Sequence, residues 1–177
     1  MHKQKPFAGL TALVIEANRP MRVLLRGLLN GLGVSTMHEA GDAVEGFQMF
    51  QRMPVDFIIT ELDMMPLSGL DFVRLVRNAT ESPNPTIPVV MLSALAEHRL
   101  VVASRDVGVN AFMVKPLSGD SLRATLNGVL LKPRPFVRTE KYFGPDRRRK
   151  AMNRPGEAER RRAQIALLPV AAPPVSG

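Results

Sequence analysis

The sequence predicts an α/β domain with a doubly wound parallel sheet, followed by a basic tail. Three observations predict it. Over residues 9–131, five short apolar runs of strand length alternate with five amphipathic stretches of helical period. The third run, Phe57–Thr60, ends in Glu61 and is followed at once by the loop signals Pro66 and Gly69 and then a helical pattern. Past Leu131 the pattern stops, and the charge changes with it.

The elements follow in order. Leu10–Ile15 reads as the first strand, ended by Glu16-Ala17-Asn18. Asn18 caps a helix with Pro20 in its first turn and Met21, Leu24, Leu25, Leu28 and Leu29 on one face. Gly31 and Gly33 stop that helix, and Val34–Glu39 is a weaker second strand. Asp42 caps the second helix, whose apolar side is Val44, Phe47, Met49 and Phe50. The third helix, Leu70–Arg77, carries Leu70, Phe72, Val73 and Val76, and Ser82-Pro-Asn-Pro is a loop. Pro88–Leu92, Glu97–Val107 and Ala111–Val114 are the fourth strand, the fourth helix and the fifth strand. Ser118 or Gly119 opens the last helix, with Leu122, Leu126, Val129 and Leu130 inward. Such alternation implies a parallel sheet covered on both faces, and about 120 residues suffice to bury its core.

The chain has 177 residues and no cysteine, which excludes a disulfide framework and a thiolate metal site. No apolar run approaches the roughly 20 residues that span a bilayer. Met-His-Lys-Gln-Lys-Pro at the start has no apolar segment behind it. The expectation is a cytoplasmic protein without membrane contact. Up to Leu131 there are 12 basic and 12 acidic residues; from Lys132 onward there are 12 and 4. The net charge of +8 therefore belongs to the tail and points to an anionic partner for it.

Four polar groups stand at strand ends and converge above the sheet: Glu16, Glu61, Ser93 and Lys115, the last followed by Pro116. In open α/β sheets this edge is where ligands and chemistry are placed. Together with Asn18, Met21-Arg22, Gly69 and Phe112, the set resembles the receiver domain of two-component response regulators, a flavodoxin-like (βα)5 fold. The resemblance covers residues 9–131. It implies a phosphoacceptor at position 61, a hydroxyl at Ser93, a switch aromatic at Phe112 and a phosphoryl-binding lysine at Lys115. It also implies an acidic metal-binding pair at Glu16 and position 17.

Two departures bear on chemistry. Position 17 is Ala17, which offers no ligand, so a metal site would keep Glu16 and Glu61 alone as carboxylates. The acceptor position holds Glu61 rather than Asp, which moves the carboxylate outward by about 1.5 Å. Phosphoryl transfer depends on positioning and on Mg²⁺, and a misplacement of about 1 Å costs about 100-fold. The expectation is a pseudo-receiver: no required cofactor, Mg²⁺ binding weak or absent, and no enzymatic activity. The longer carboxylate is expected to reach Ser93 and Lys115, mimic a phosphoryl group and hold an active-like state. Asp63, the rival acceptor two residues on, falls in the loop. Phe112 has no polar tip, and simple core packing is its plainer role. His2, His38 and His98 are scattered and suggest neither a metal site nor a phosphorelay histidine.

The extension, residues 132–177, is expected to be largely disordered, with a short helix over Glu157–Leu168 and a low-complexity end, 169–177. Its distinctive features are Arg147, Arg148, Arg149 and Lys150, then Arg160–Arg162, with Phe136, Tyr142 and Phe143 upstream. Arginine forks onto phosphates and stacks on bases. A receiver followed by an arginine-rich extension resembles chemotaxis-regulator-like bacterial proteins that bind cyclic di-GMP. That resemblance implies a messenger-binding tail and output by protein contact through helix four, strand five and helix five. A phosphorylatable response regulator and a nucleic-acid-binding regulator are the alternatives; a solvated tail without a ligand is the plainest. Flavin binding on the same topology is disfavoured, because Glu16-Ala-Asn-Arg-Pro lacks the Ser, Thr and Gly that cradle a phosphate.

Overall fold

Strand-face alternation organises the core. The computed structural model describes residues 6–147 and 166–168. In the first strand, β1 (Thr11–Ile15), Ala12 and Val14 enter one apolar cluster while Leu13 and Ile15 enter the other. That is the period of two of a strand covered on both faces. It continues in β3 (Phe57–Glu61) and β4 (Val89–Ser93): Phe57, Ile59, Val90 and Leu92 face one cluster, Ile58, Val89 and Met91 the other. With β2 (Thr36–Ala40) and β5 (Ala111–Val114), they form a parallel sheet of order β2-β1-β3-β4-β5.

Helices α1 (Arg19–Leu32) and α5 (Gly119–Leu126) cover the first cluster with Leu25, Leu29, Leu122 and Leu126. On the other face, α2 (Ala43–Arg52) and α3 (Gly69–Asn78) contribute Phe50, Phe72, Val73 and Val76. The fourth helix, α4 (His98–Asp106), is the most exposed, with Ser104 its buried residue. The expected caps form: Asn18 accepts from the Met21 N–H, Asp42 from Val44 and Glu45, and Ser118 closes a capping box; Ser68, which the sequence reading did not single out, closes another. A π-helical turn, Asn127–Leu131, continues α5 and buries Val129 and Leu130.

The extension departs from the expected disorder in its described part. β6 (Phe136–Thr139) and β7 (Tyr142–Pro145) form an antiparallel hairpin, and β8 (Ala166–Leu168) pairs with the other edge of β6. Ala166–Leu168 is thus a strand where a helix was expected, because β6 offers an open edge for pairing. The low-complexity end and Arg160–Arg162 lie outside the described residues.

The hairpin is bolted to the α/β core. Phe136 is fully buried, and Val137 and Phe143 nearly so. A Cβ on Gly144 would come within 2.7 Å of the Gly108 Cα, so the hairpin backbone lies directly on the turn between α4 and β5. Gly108 itself has φ +94°, a conformation glycine adopts without steric cost.

Arg77, at the end of α3, lies beneath the hairpin and is fully buried. Its guanidinium donates to the Gly108 carbonyl at 3.1 and 3.0 Å, the Pro85 carbonyl at 2.8 Å and Asn110 Oδ1 at 3.1 Å. It also sits 4.9 Å from the centre of the Phe136 ring. No carboxylate pairs with it among the described residues, and burial pulls its pKa down to about 9, against an upward pull from Tyr142.

Candidate functional site

Three neighbouring strands deliver their last residues to one point above the sheet. Glu16 follows β1, Glu61 ends β3 and Ser93 ends β4, and all three are buried. Lys115 follows β5, and its backbone N–H donates to the Ser93 carbonyl at 2.8 Å. Gly69 makes room for this edge: a Cβ there would overlap the Glu61 carbonyl oxygen. Its N–H donates to the Leu62 carbonyl at 2.9 Å, seating the start of α3 against the end of β3.

The Lys115 ammonium bridges two carboxylates. Nζ lies 2.8 Å from Glu16 Oε2 and is in direct contact with Glu61 Oε2. The other oxygens are also engaged. Glu16 Oε1 accepts from the Asn18 N–H at 2.9 Å, and Glu61 Oε1 accepts from the Leu62 and Asp63 N–H groups at 3.0 and 3.3 Å. Arg22 closes the rim, donating to the Glu16 and Ala17 carbonyls at 2.6 and 3.2 Å while pairing with Glu39 at 3.1 Å.

Burial raises the Glu61 pKa; the Lys115 ammonium opposes this, and the net shift is upward. For Lys115, burial works against its charge, but hydrogen bonds and attraction from Glu16 and Glu61 outweigh it and hold its pKa up. The site is therefore a buried triad in which two carboxylates share one ammonium.

Glu61 reaches Lys115 as expected, but it does not reach Ser93. The Ser93 hydroxyl accepts from the Leu95 N–H at 3.0 Å, and Glu61 curls back onto the N–H groups of its own loop. The added methylene lets the carboxylate cap that loop, so the expected phosphoryl mimicry through Ser93 is absent from this geometry. Phe112 is half-buried and packs against the second core cluster. Asp63 is exposed in the loop.

Comparison with known proteins then decides the family. The response regulator receiver domain pattern matches residues 12–127. The chain belongs to the response regulator receiver family. This receiver is 27% identical over 121 residues to chemotaxis protein CheY-3 of Vibrio cholerae, covering 68% of this chain and 92% of that protein. Identity to chemotaxis protein CheY of Pseudomonas aeruginosa is 27% over 117 residues, 66% and 93% of the two chains. Among solved structures, Vibrio cholerae CheY4 superposes with a TM-score of 0.63 at 25% identity, over 70% of this chain and all of that one. It is the receiver of a CheY-like response regulator in bacterial signalling.

Of the predicted tail residues, Arg147 is the one described; Arg148, Arg149 and Lys150 lie outside the described residues. Arg147 stacks 3.6 Å from the centre of the Tyr142 ring and pairs with Asp106, at the end of α4, at 3.1 Å. Sequence reasoning did not single out Arg77 or Asp106. Arg77 had a signal: it falls four residues after Val73, on the apolar stripe of α3. Asp106 had none. Among the described residues, no helix is long and apolar enough to cross a membrane.

Proposed function

We propose that this receiver works as a pseudo-receiver: a docking module that signals by protein contact without phosphoryl transfer. The observation that carries the reading is the Lys115 ammonium seated between Glu16 and Glu61. A carboxylate nucleophile must present an oxygen to the phosphodonor, yet both Glu61 oxygens are already engaged. The donor set also does not fit Mg²⁺. That ion takes near-octahedral oxygen coordination, whereas Ala17 offers no side-chain oxygen and the Lys115 ammonium occupies the space between the two carboxylates. We read the protein as a non-enzyme acting in the cytoplasm.

Output is assigned to the face formed by α4, β5 and α5. Val101 on α4 and Val114 on β5 expose 40 and 38% of their surface, apolar area suited to a protein partner. Input is assigned to the extension, with cyclic di-GMP as the candidate ligand of Arg147, Arg148, Arg149 and Lys150. Nucleic acid is the second reading for the same positive charge.

Incubation with acetyl phosphate and Mg²⁺, followed by intact mass measurement, tests the first part. The expected result is an unchanged mass; an added phosphoryl group would return the protein to the phosphorylatable class. Calorimetric titration of cyclic di-GMP into the full chain, and into a variant with residues 147–150 replaced by alanine, tests the second. Binding that vanishes in the variant supports it, and heat equal in both sinks it. A steep salt dependence of duplex DNA binding, near −0.9 per phosphate contacted, would favour the nucleic-acid reading.

A further inference from the structure

Asp106 Oδ1 is shared by two arginines from different parts of the chain. Arg105, its neighbour on α4, approaches it at 3.3 Å through Nε and 3.4 Å through Nη2. Arg147, from the end of the hairpin, approaches the same oxygen at 3.1 Å through Nη1, while its Nη2 lies 3.5 Å from the Asp106 carbonyl. Arg147 is further fixed by its stack on Tyr142, whose hydroxyl donates to the Pro145 carbonyl at 2.8 Å.

Two guanidiniums converge on one anionic oxygen beside an aromatic ring, the arrangement arginines also use on phosphate oxygens. Its placement follows from the bolted hairpin. Gly144 lies on Gly108, Arg134 donates to the Asn110 carbonyl at 2.6 Å, and Phe136 caps Arg77, so Arg147 arrives at α4 on a rigid support.

We propose that Arg105 and Arg147 form a binding pair for the phosphodiester of a nucleotide, and that Asp106 is its internal occupant, displaced when the ligand enters. Displacement frees the last turn of α4, where the Val107 N–H donates to the Ala103 carbonyl at 3.1 Å. Ligand state at the extension is thereby read on the helix that carries the output face. The inference rests on the reading of the basic cluster as a ligand site, and it adds Arg105, the competitor Asp106 and the route to α4.

The test uses the full chain and two probes, inorganic pyrophosphate and cyclic di-GMP. Asp106→Asn is compared with Asp120→Asn, which removes the same charge at the start of α5, at the end of the sheet where the strands finish. Asp106→Asn is expected to tighten pyrophosphate binding about two- to five-fold relative to Asp120→Asn, the range that one exposed ion pair spans. Hydrogen exchange in the last turn of α4 should quicken on pyrophosphate addition in the parent and not respond in Asp106→Asn.

Equal affinities in the two variants, no measurable pyrophosphate binding, or an α4 response that persists in Asp106→Asn would each overturn the displacement. Tighter pyrophosphate binding in Asp106→Asn without any cyclic di-GMP binding would sustain the displacement while removing cyclic di-GMP as the ligand.

Discussion

Replacing Lys115 with methionine probes the triad most directly, because it removes the cation and leaves Glu16 and Glu61 buried beside each other. Their side chains are 3 and 6% exposed, and that of Lys115 is 18% exposed. Removing one partner of a buried ion pair costs about 3–5 kcal/mol. Partial access of water through the Lys115 opening puts the expected loss near the lower end, about 3 kcal/mol. With a urea slope of about 1.5 kcal/mol per molar, the unfolding midpoint should fall by about 2 M.

The pH dependence makes the reasoning specific. In the parent, burial already raises the Glu61 pKa while Lys115 pulls it back. Without Lys115 the upward shift grows. A raised folded-state pKa contributes stability that is fully present below the unfolded value and lost as pH rises through the folded value. The Lys115→Met deficit should therefore be largest at pH 7 and shrink toward about pH 4, where the carboxyls take up protons. Adding Glu61→Gln should restore more than about 1 kcal/mol at pH 7, since the remaining Glu16 no longer faces a second charge. Urea unfolding of the four proteins of this cycle, at both pH values, is the assay. A deficit below about 1 kcal/mol at pH 7, or one independent of pH, would refute the shared-ammonium triad.

Other expectations follow from the same structure. Gly69→Ala should destabilise by about 2–3 kcal/mol in chemical unfolding, because the added Cβ overlaps the Glu61 carbonyl oxygen and forces α3 away from β3. Arg77→Met should cost about 2–4 kcal/mol, leaving the Gly108 and Pro85 carbonyls without their donor and Asn110 Oδ1 with the Val89 N–H alone, and should quicken hydrogen exchange in β6 and β7. The double variant Ala17→Asp with Glu61→Asp should acquire Mg²⁺ binding by calorimetry and a phosphoryl group from acetyl phosphate by mass. The parent should show neither. Above the ordinary lysine range, thermal stability should decline as Lys115 loses its proton, since its raised pKa contributes stability only while the ammonium persists.

The receiver core was legible because each of its signals is local. Apolar runs of five residues, caps at Asn18 and Asp42, and a glycine after α1 specify their elements without tertiary help. The convergence of Glu16, Glu61, Ser93 and Lys115 followed from topology, since strand ends of a parallel sheet meet at one edge. The rotamer of Glu61 was not legible. Spacing places its Cα, but whether the carboxylate turns to Ser93 or to its own loop depends on N–H groups of Leu62 and Asp63 that the loop alone presents.

The hairpin was missed for a related reason. Its strands are four residues long, their turn is Glu140-Lys141 rather than Asn-Gly, and charged residues break the apolar pattern. Phe136 and Phe143 become buried only because α3 ends in Arg77 and β5 begins behind Gly108, surfaces contributed by distant sequence.

That dependence bears on how the extension can act. A chain ending at Leu131 would lose the Phe136 ring that caps Arg77 and the backbone that covers Gly108, so loss of ligand binding on truncation would mix two causes. Substitution at residues 147–150 leaves both of those contacts in place and, among the described contacts, removes the Arg147 stack on Tyr142 and its pair with Asp106. The geometry also separates the two ends of the domain. The acidic triad closes the edge where strands end, whereas the hairpin grips the opposite edge, at the turn between α4 and β5. If the triad removes phosphorylation as an input, the contact from the extension to the last turn of α4 runs through Asp106 and the Gly108 turn. A partner that recognises α4 would then sense the hairpin through small changes in the last turn of that helix, with the triad holding the far edge fixed.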